Sequence, residues 1–231
     1  MYTYLLLNIG TILFPLLLSF DKKVHFYTYW KALFPSIFVV AALFILWDIQ
    51  FTELGVWAFN PDYLTGIYWA NLPMEEWMFF FTIPYACIFI YECIKAYLPF
   101  SWNTESMRKL YFVTGSLLFI IACTQLGKLY TTITFFTLGV LLIGTAIYAP
   151  VYLGRFAQMY LIHLVPFFLI NGVLTALPVV LYNNAENLGI RMGTVPFEDP
   201  FYSMLLLLLN VHLFEFFKKK FQLNAQLNSI Y

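Results

Sequence analysis

The sequence predicts an all-α integral membrane protein of about seven transmembrane helices, built as two parallel three-helix repeats joined by a connector helix. Three observations carry this reading. Of 231 residues, 62% are hydrophobic and 10% charged, where a soluble domain carries about a quarter charged residues. The apolar residues gather into long runs separated by charges. And LPMEEWMFF, from Leu72 to Phe80, has a counterpart 123 positions later in VPFEDPFYS, from Val195 to Ser203. With 26 Phe and 17 Tyr, the chain carries more aromatic surface than an interior of this size can hide, so a bilayer must take it.

In chain order, the runs place spans at roughly 2–20, 32–49, 77–94, 110–127, 130–150, 158–181 and 200–217, near the length a helix needs to cross hydrocarbon. The first twenty residues lack a charge, a basic leader and a small-residue cleavage site, so they read as a retained span. Lysine and arginine orient the rest. Lys22, Lys23, Lys31, Lys95, Arg108, Lys109, Arg155, Lys218, Lys219 and Lys220 fall on one face of a seven-span chain, and only Lys128 and Arg191 on the other. This asymmetry predicts a multi-pass protein of the cell membrane, with its C-terminus in the cytoplasm and its acidic loops toward the non-cytoplasmic face.

Residue 60 laid over residue 183 pairs Asn60 with Asn183, Gly66 with Gly189, Pro73 with Pro196, Glu75 with Glu198, Glu76 with Asp199 and Glu92 with Glu215. Upstream, Asp48 meets Asn171. The shift carries the first three spans onto the last three. The expected units are a first repeat over 1–98, a connector helix over 99–128, a second repeat over 129–220 and a cytoplasmic tail over 221–231. Three spans plus one connector is an even number, so both copies enter the membrane with the same polarity. Their acidic motifs then lie at one depth and can face each other.

Fifteen uncharged residues separate Glu76 from Glu92, and fifteen separate Asp199 from Glu215. A helix of that length covers about 22 Å, short of the hydrocarbon core, so carboxylates must sit below headgroup level, facing protein or a cavity. Proline followed by acids also makes a good helix start. Adjacent residues on a helix diverge, so in each pair one acid points inward and the other caps. Inward acids from two halves, buried together, favour keeping a proton between them, and such a group is a general acid. The loop from Glu53 to Trp77 surrounds its acids with Trp57, Tyr63, Trp69 and Trp77, and Trp47 stands just before it. These rings serve as an interfacial belt or stabilise a passing carbocation. Asn60 opens an Asn-Pro-Asp turn; Asp48 and Asn171 are buried polar candidates. His163 and His212 read as structural residues far from the acids, and Glu92 and Glu215 as ion-pair partners of Lys95 and Lys218. Net charge is zero, which argues against nucleic acid. No GxGxxG, P-loop, metal-binding His cluster or Asp-rich pair is present, so nothing calls for a cofactor or a metal. Cys87, Cys93 and Cys123 stand singly, as small apolar residues.

ELGVWAFNPDYLTGIYWANLPMEEWMFF and IPYACIFIYE in the first half, with NAENLGIRMGTVPFED and NVHLFE in the second, resemble the lycopene cyclase domain family, the non-flavin membrane type found as paired subunits or fused tandem domains. The resemblance spans the whole chain; the second motif departs with Asp199 where the first has Glu76, and with Pro200 where the first has Trp77. It implies an isomerase that closes the ends of lycopene into β-ionone rings by carboxylic-acid protonation, without net redox. It carries the family's acids onto Glu75, Glu76, Glu198 and Asp199. The substrate-facing set is Trp47, Asp48, Trp57, Asn60, Tyr63, Trp69, Trp77 and Asn171. Its implied partners are lycopene or a similar apolar carotenoid, membrane lipid and other carotenoid enzymes. The residues alone leave two alternatives: a prenyltransferase-like enzyme acting on another polyisoprenoid, and a non-enzymatic transporter or scaffold.

Overall fold

A computed structural model describes residues 2–223 and, among them, seven α-helices: α1 (Thr3–Leu18), α2 (Trp30–Glu53), α3 (Met74–Tyr97), α4 (Thr104–Thr124), α5 (Leu129–Tyr148), α6 (Leu153–Ala176) and α7 (Asp199–Lys220). Six are long and apolar enough to cross a membrane; α1, with 16 residues, is the shorter seventh. The chain is a multi-pass membrane protein. Of the tail expected over 221–231, residues from 224 onward lie outside the described residues. Six short strands lie between helices: β1 (Trp57–Phe59), β2 (Tyr68–Trp69) and β3 (Leu72–Pro73) before α3, then β4 (Val180–Tyr182), β5 (Arg191–Met192) and β6 (Val195–Pro196) before α7.

The repeat is written into the element boundaries. The helix α6 and all three strands of the second half begin and end 123 residues after α2 and the strands of the first. Both α3 and α7 end 123 residues apart as well, at Tyr97 and Lys220. In each half the same glycine, Gly66 or Gly189, sits at positive φ (82° and 72°), a conformation glycine adopts without steric cost. Each half also closes its hairpin onto its last helix through an equivalent backbone bond, Met74 N–H to the Ile67 carbonyl and Phe197 N–H to the Ile190 carbonyl.

The halves meet along a self-complementary seam. β1 and β4 pair antiparallel with Trp57 opposite Tyr182 and Phe59 opposite Val180. The flanking bonds repeat the symmetry: Asn60 N–H donates to the Val179 carbonyl and Asn183 N–H to the Val56 carbonyl, both at 2.9 Å. Equivalent segments pairing with each other are the mark of a two-fold relation. Below the seam, α2 packs on α7 and α3 on α6, so each half lends a helix to the other. The connector α4 lies against α5, where Gly115 and Gly139 let the backbones touch; a Cβ on Gly115 would stand 2.8 Å from the Gly139 carbonyl oxygen.

At the end of α3 and α7 away from the seam, the repeat builds a ring of four charges. Lys218, 3% exposed, donates to Glu92 at 2.9 Å; Lys95 reaches Glu92 at 3.2 Å and also pairs with Glu215. The ion pairing expected for Glu92 and Glu215 is present, and it runs between the halves as well as within the first.

Candidate active site

The two acidic pairs split in the same way in both halves. Glu75 turns back to its own loop, where Oε1 accepts the Thr65 N–H at 2.6 Å; Glu198 does the same with the Leu188 N–H at 2.7 Å, 123 residues later. Glu198 also accepts the Thr131 hydroxyl at 2.6 Å. These two acids therefore anchor the loops that precede the helices. Glu76 and Asp199, one position on, point the other way, into the space between the halves, and both are buried.

There they line one small cavity of about 60 Å³. Its roof is the β1–β4 seam, through Trp57, Phe59, Val180 and Tyr182; its walls include Tyr4, Tyr130, Tyr202, Asp48 and Asn171. Asp199 accepts from three donors. Tyr130 donates to Oδ1 at 2.7 Å, and Tyr182 and Asn171 donate to Oδ2 at 2.8 and 3.1 Å. Burial, with the Asp199 carboxylate beside it, holds the Tyr182 phenol well above its usual pKa, so it remains a donor at neutral pH. Glu76 receives the Tyr4 phenol on Oε2 at 2.5 Å. At the place of Asn171 the first half has Asp48, and at the place of Tyr182 it has Phe59, which has no donor to give. The rings of Trp57, Tyr130, Tyr182 and Tyr202 stand edge to face or stacked around this pocket, with centroid separations of 5.1 to 6.2 Å. Their faces offer a developing cation a negative surface in a dry setting.

A second cavity, of about 420 Å³ and almost wholly apolar, runs from this pocket toward the opposite end of the helices. It shares Phe79, Asn171, Asp199 and Tyr202 with the polar pocket, so the two spaces adjoin at these side chains. Along α3 it extends from Phe79 to Ile90, about 16 Å at 1.5 Å per residue. α1 and α6 flank it, and the exposed side chains of Leu6 and Phe14 at its edge open it sideways to lipid. The equivalent space on the other side of the two-fold is filled. Phe80 stands there where the groove has Ser203, and buried Phe44 packs against Phe80, Trp47 and Tyr202. The fold is symmetric; the groove is one-sided.

Of the residues singled out in the sequence, Glu76, Asp199, Asp48, Asn171 and Trp57 come together at the small pocket. Trp47 lies one ring behind it, edge-on to Tyr202 at 5.5 Å. Asn60 caps the turn at 61–63 through the Asp62 N–H, and Tyr63 packs beside Leu64 in the outer loop. Trp69 is 55% exposed and meets Trp77 edge to face at 5.7 Å, with the Trp77 indole donating to the Trp69 carbonyl. Those two form a surface pair, as an interfacial belt does. His163 is placed differently from the expectation. It lines the groove, bonded to Ser203 at 2.8 Å and to Cys87 at 3.2 Å, one helical turn below Asp199. A span starting at 158 leaves His163 in its second turn, whereas α6 starts at Leu153, which carries His163 deeper along the helix toward the acids. Tyr4, Tyr130, Tyr182, Tyr202 and Phe79 were not singled out. Phe79 and Tyr202 carried a signal: each is an aromatic three residues after its acid, on the same helix face.

A family model described as Lycopene cyclase matches residues 1–94 and 127–217, the two halves without the connector. No curated protein and no solved structure matches the chain.

Proposed function

Because the chain belongs to the lycopene cyclase family, we propose that it is an isomerase that closes linear end groups of lycopene into β-ionone rings, giving γ-carotene, β-carotene or both. The observation that carries this reading is the convergence of Glu76 and Asp199, from opposite halves, on one polar pocket at the head of an apolar groove. A polyene chain suits the groove, whose lining is almost entirely hydrocarbon and whose volume lies in the small-molecule range. Its terminal isoprenoid unit then lies at the junction with the pocket, beside Phe79, Tyr202 and the acids.

In the proposed reaction a carboxylic acid of the pocket gives a proton to C2 of the end group, leaving a cation at C1. The C5–C6 π electrons form the C1–C6 bond and move the positive charge to C5. Loss of the C6 proton to a carboxylate restores the double bond. One proton enters and one leaves, so the formula is unchanged and no oxidant or cofactor enters the scheme. The aromatic walls and an anionic carboxylate stabilise the cation where water would quench it. The bias of Lys and Arg supports a cytoplasmic C-terminus, with the polar pocket near the opposite surface.

Expression in a lycopene-accumulating bacterium tests this. Pigments of unchanged mass and blue-shifted absorption are the expected products. Unaltered lycopene, with the protein folded in the membrane, would overturn the reading.

A further inference from the structure

The two halves place unlike surroundings on equivalent acids, and the difference has a chemical meaning. Asp199 takes hydrogen bonds from three donors, which favour its charged form over that of a carboxylate with fewer donors. Glu76 has the Tyr4 phenol as its donor among the described residues, and its neighbour on α2 is another acid, Asp48. Asp48 is 2% exposed and lines the same pocket with the Trp57 indole N–H beside it, and its buried Oδ2 makes no well-aligned hydrogen bond among the described residues. Facing this pair are Tyr4 from α1, Tyr130 from α5, Tyr182 from β4, and Asp199 and Tyr202 from α7; none of the lining residues is a Lys, Arg or His. Three carboxylates buried together without a cation are costly if all are ionised; one proton on the donor-poor pair removes the closest repulsion, and the three donors on Asp199 offset the charge that stays there.

We propose that Asp48 and Glu76 hold one proton between them and form the acid of the site, while Asp199 stays ionised as the fixed counter-charge. This assignment rests on the cyclisation proposed above. The proton passes from the Asp48–Glu76 pair to C2. The C1–C6 bond forms, and the C6–H electrons then become the C5–C6 π bond as that proton returns to the pair. Asp199 gains and loses nothing; its three donors make it a weak base and a lasting charge. The pair, poor in donors, is the better base once emptied. The acid is thus reset within each ring closure, without drawing a proton from bulk water.

The test is infrared spectroscopy of the purified protein in liposomes at neutral pH, with lycopene turnover measured on the same preparations. The expected result is a protonated-carboxyl C=O band, sensitive to deuterium oxide, in the wild type and in Asp199→Asn. The band disappears in Asp48→Asn, which copies Asn171 of the second half and so is compatible with the fold. Turnover in Asp48→Asn falls at least tenfold. A band that survives Asp48→Asn, or one that vanishes in Asp199→Asn, overturns the assignment. Wild-type protein that shows the expected band pattern but leaves lycopene unchanged would overturn the cyclase reading and leave the location of the proton standing.

Discussion

Replacing Tyr182 by phenylalanine gives the second half the residue that the first half already has at the equivalent position, Phe59. The change removes one phenol and little else. Tyr182 donates to Asp199 Oδ2 at 2.8 Å, and Asn171 still reaches the same oxygen at 3.1 Å, so no buried atom is left without a partner. A hydrogen bond to a charged group contributes about 2 kcal/mol. If Asp199 holds its charge against the cation of the transition state, losing that bond lowers kcat roughly thirtyfold. KM should hardly move, because the phenol sits in the polar pocket and not along the groove. The assay is the initial rate of lycopene loss in membranes bearing equal amounts of folded protein, followed by chromatography. A rate within twofold of wild type would refute the view that Asp199 acts through the donors around it.

The remaining predictions concern the loop anchors, the charge ring and the groove. Glu198→Gln keeps a carbonyl acceptor for the Leu188 N–H, so it should fold and lose less than about threefold in turnover, whereas Glu198→Ala leaves that N–H without its partner and costs about 1–3 kcal/mol, read as a lower unfolding temperature. Lys218→Met strips a buried partner from Glu92 and should destabilise the fold by about 3–5 kcal/mol in detergent unfolding; adding Glu92→Gln should return part of the loss. Ser203→Phe puts into the groove the ring that Phe80 places on the filled side, and should raise KM at least tenfold while costing about 1 kcal/mol through the lost bond to His163.

Much of this architecture is legible in the chain because the repeat is kept at a constant spacing. The offset that aligns Pro73 with Pro196 also aligns β1 with β4 and α2 with α6, so one register predicts where equivalent acids meet. The division of labour within each acidic pair was not legible. Spacing says that Glu75 and Glu76 diverge, but which one faces inward depends on the loop returning Thr65 to the helix start, a tertiary contact. The tryptophans show the same limit. Trp57 reaches the pocket because its strand pairs with β4, and Trp69 and Trp77 stay outside because theirs is a local hairpin. The groove had no signature along the chain. It exists because α1 and α6 both pack on α3 and leave space between them, a property of three helices together. The asymmetry between Asp48 and Asn171 was visible as a pair of letters. It became chemical only with the poorly supplied Oδ2 of the one and the donating amide of the other.

The claim on which the account turns is that both halves serve a single site, and a double-mutant cycle measures it directly. Lycopene turnover would be compared for wild type, Glu76→Gln, Asp199→Asn and the pair together, each at matched levels of folded protein. One shared site predicts that either single change abolishes ring formation and that the double variant is no worse. Single variants that each keep about half of the wild-type rate, with activity lost only in the double, would mean two independent sites and contradict it.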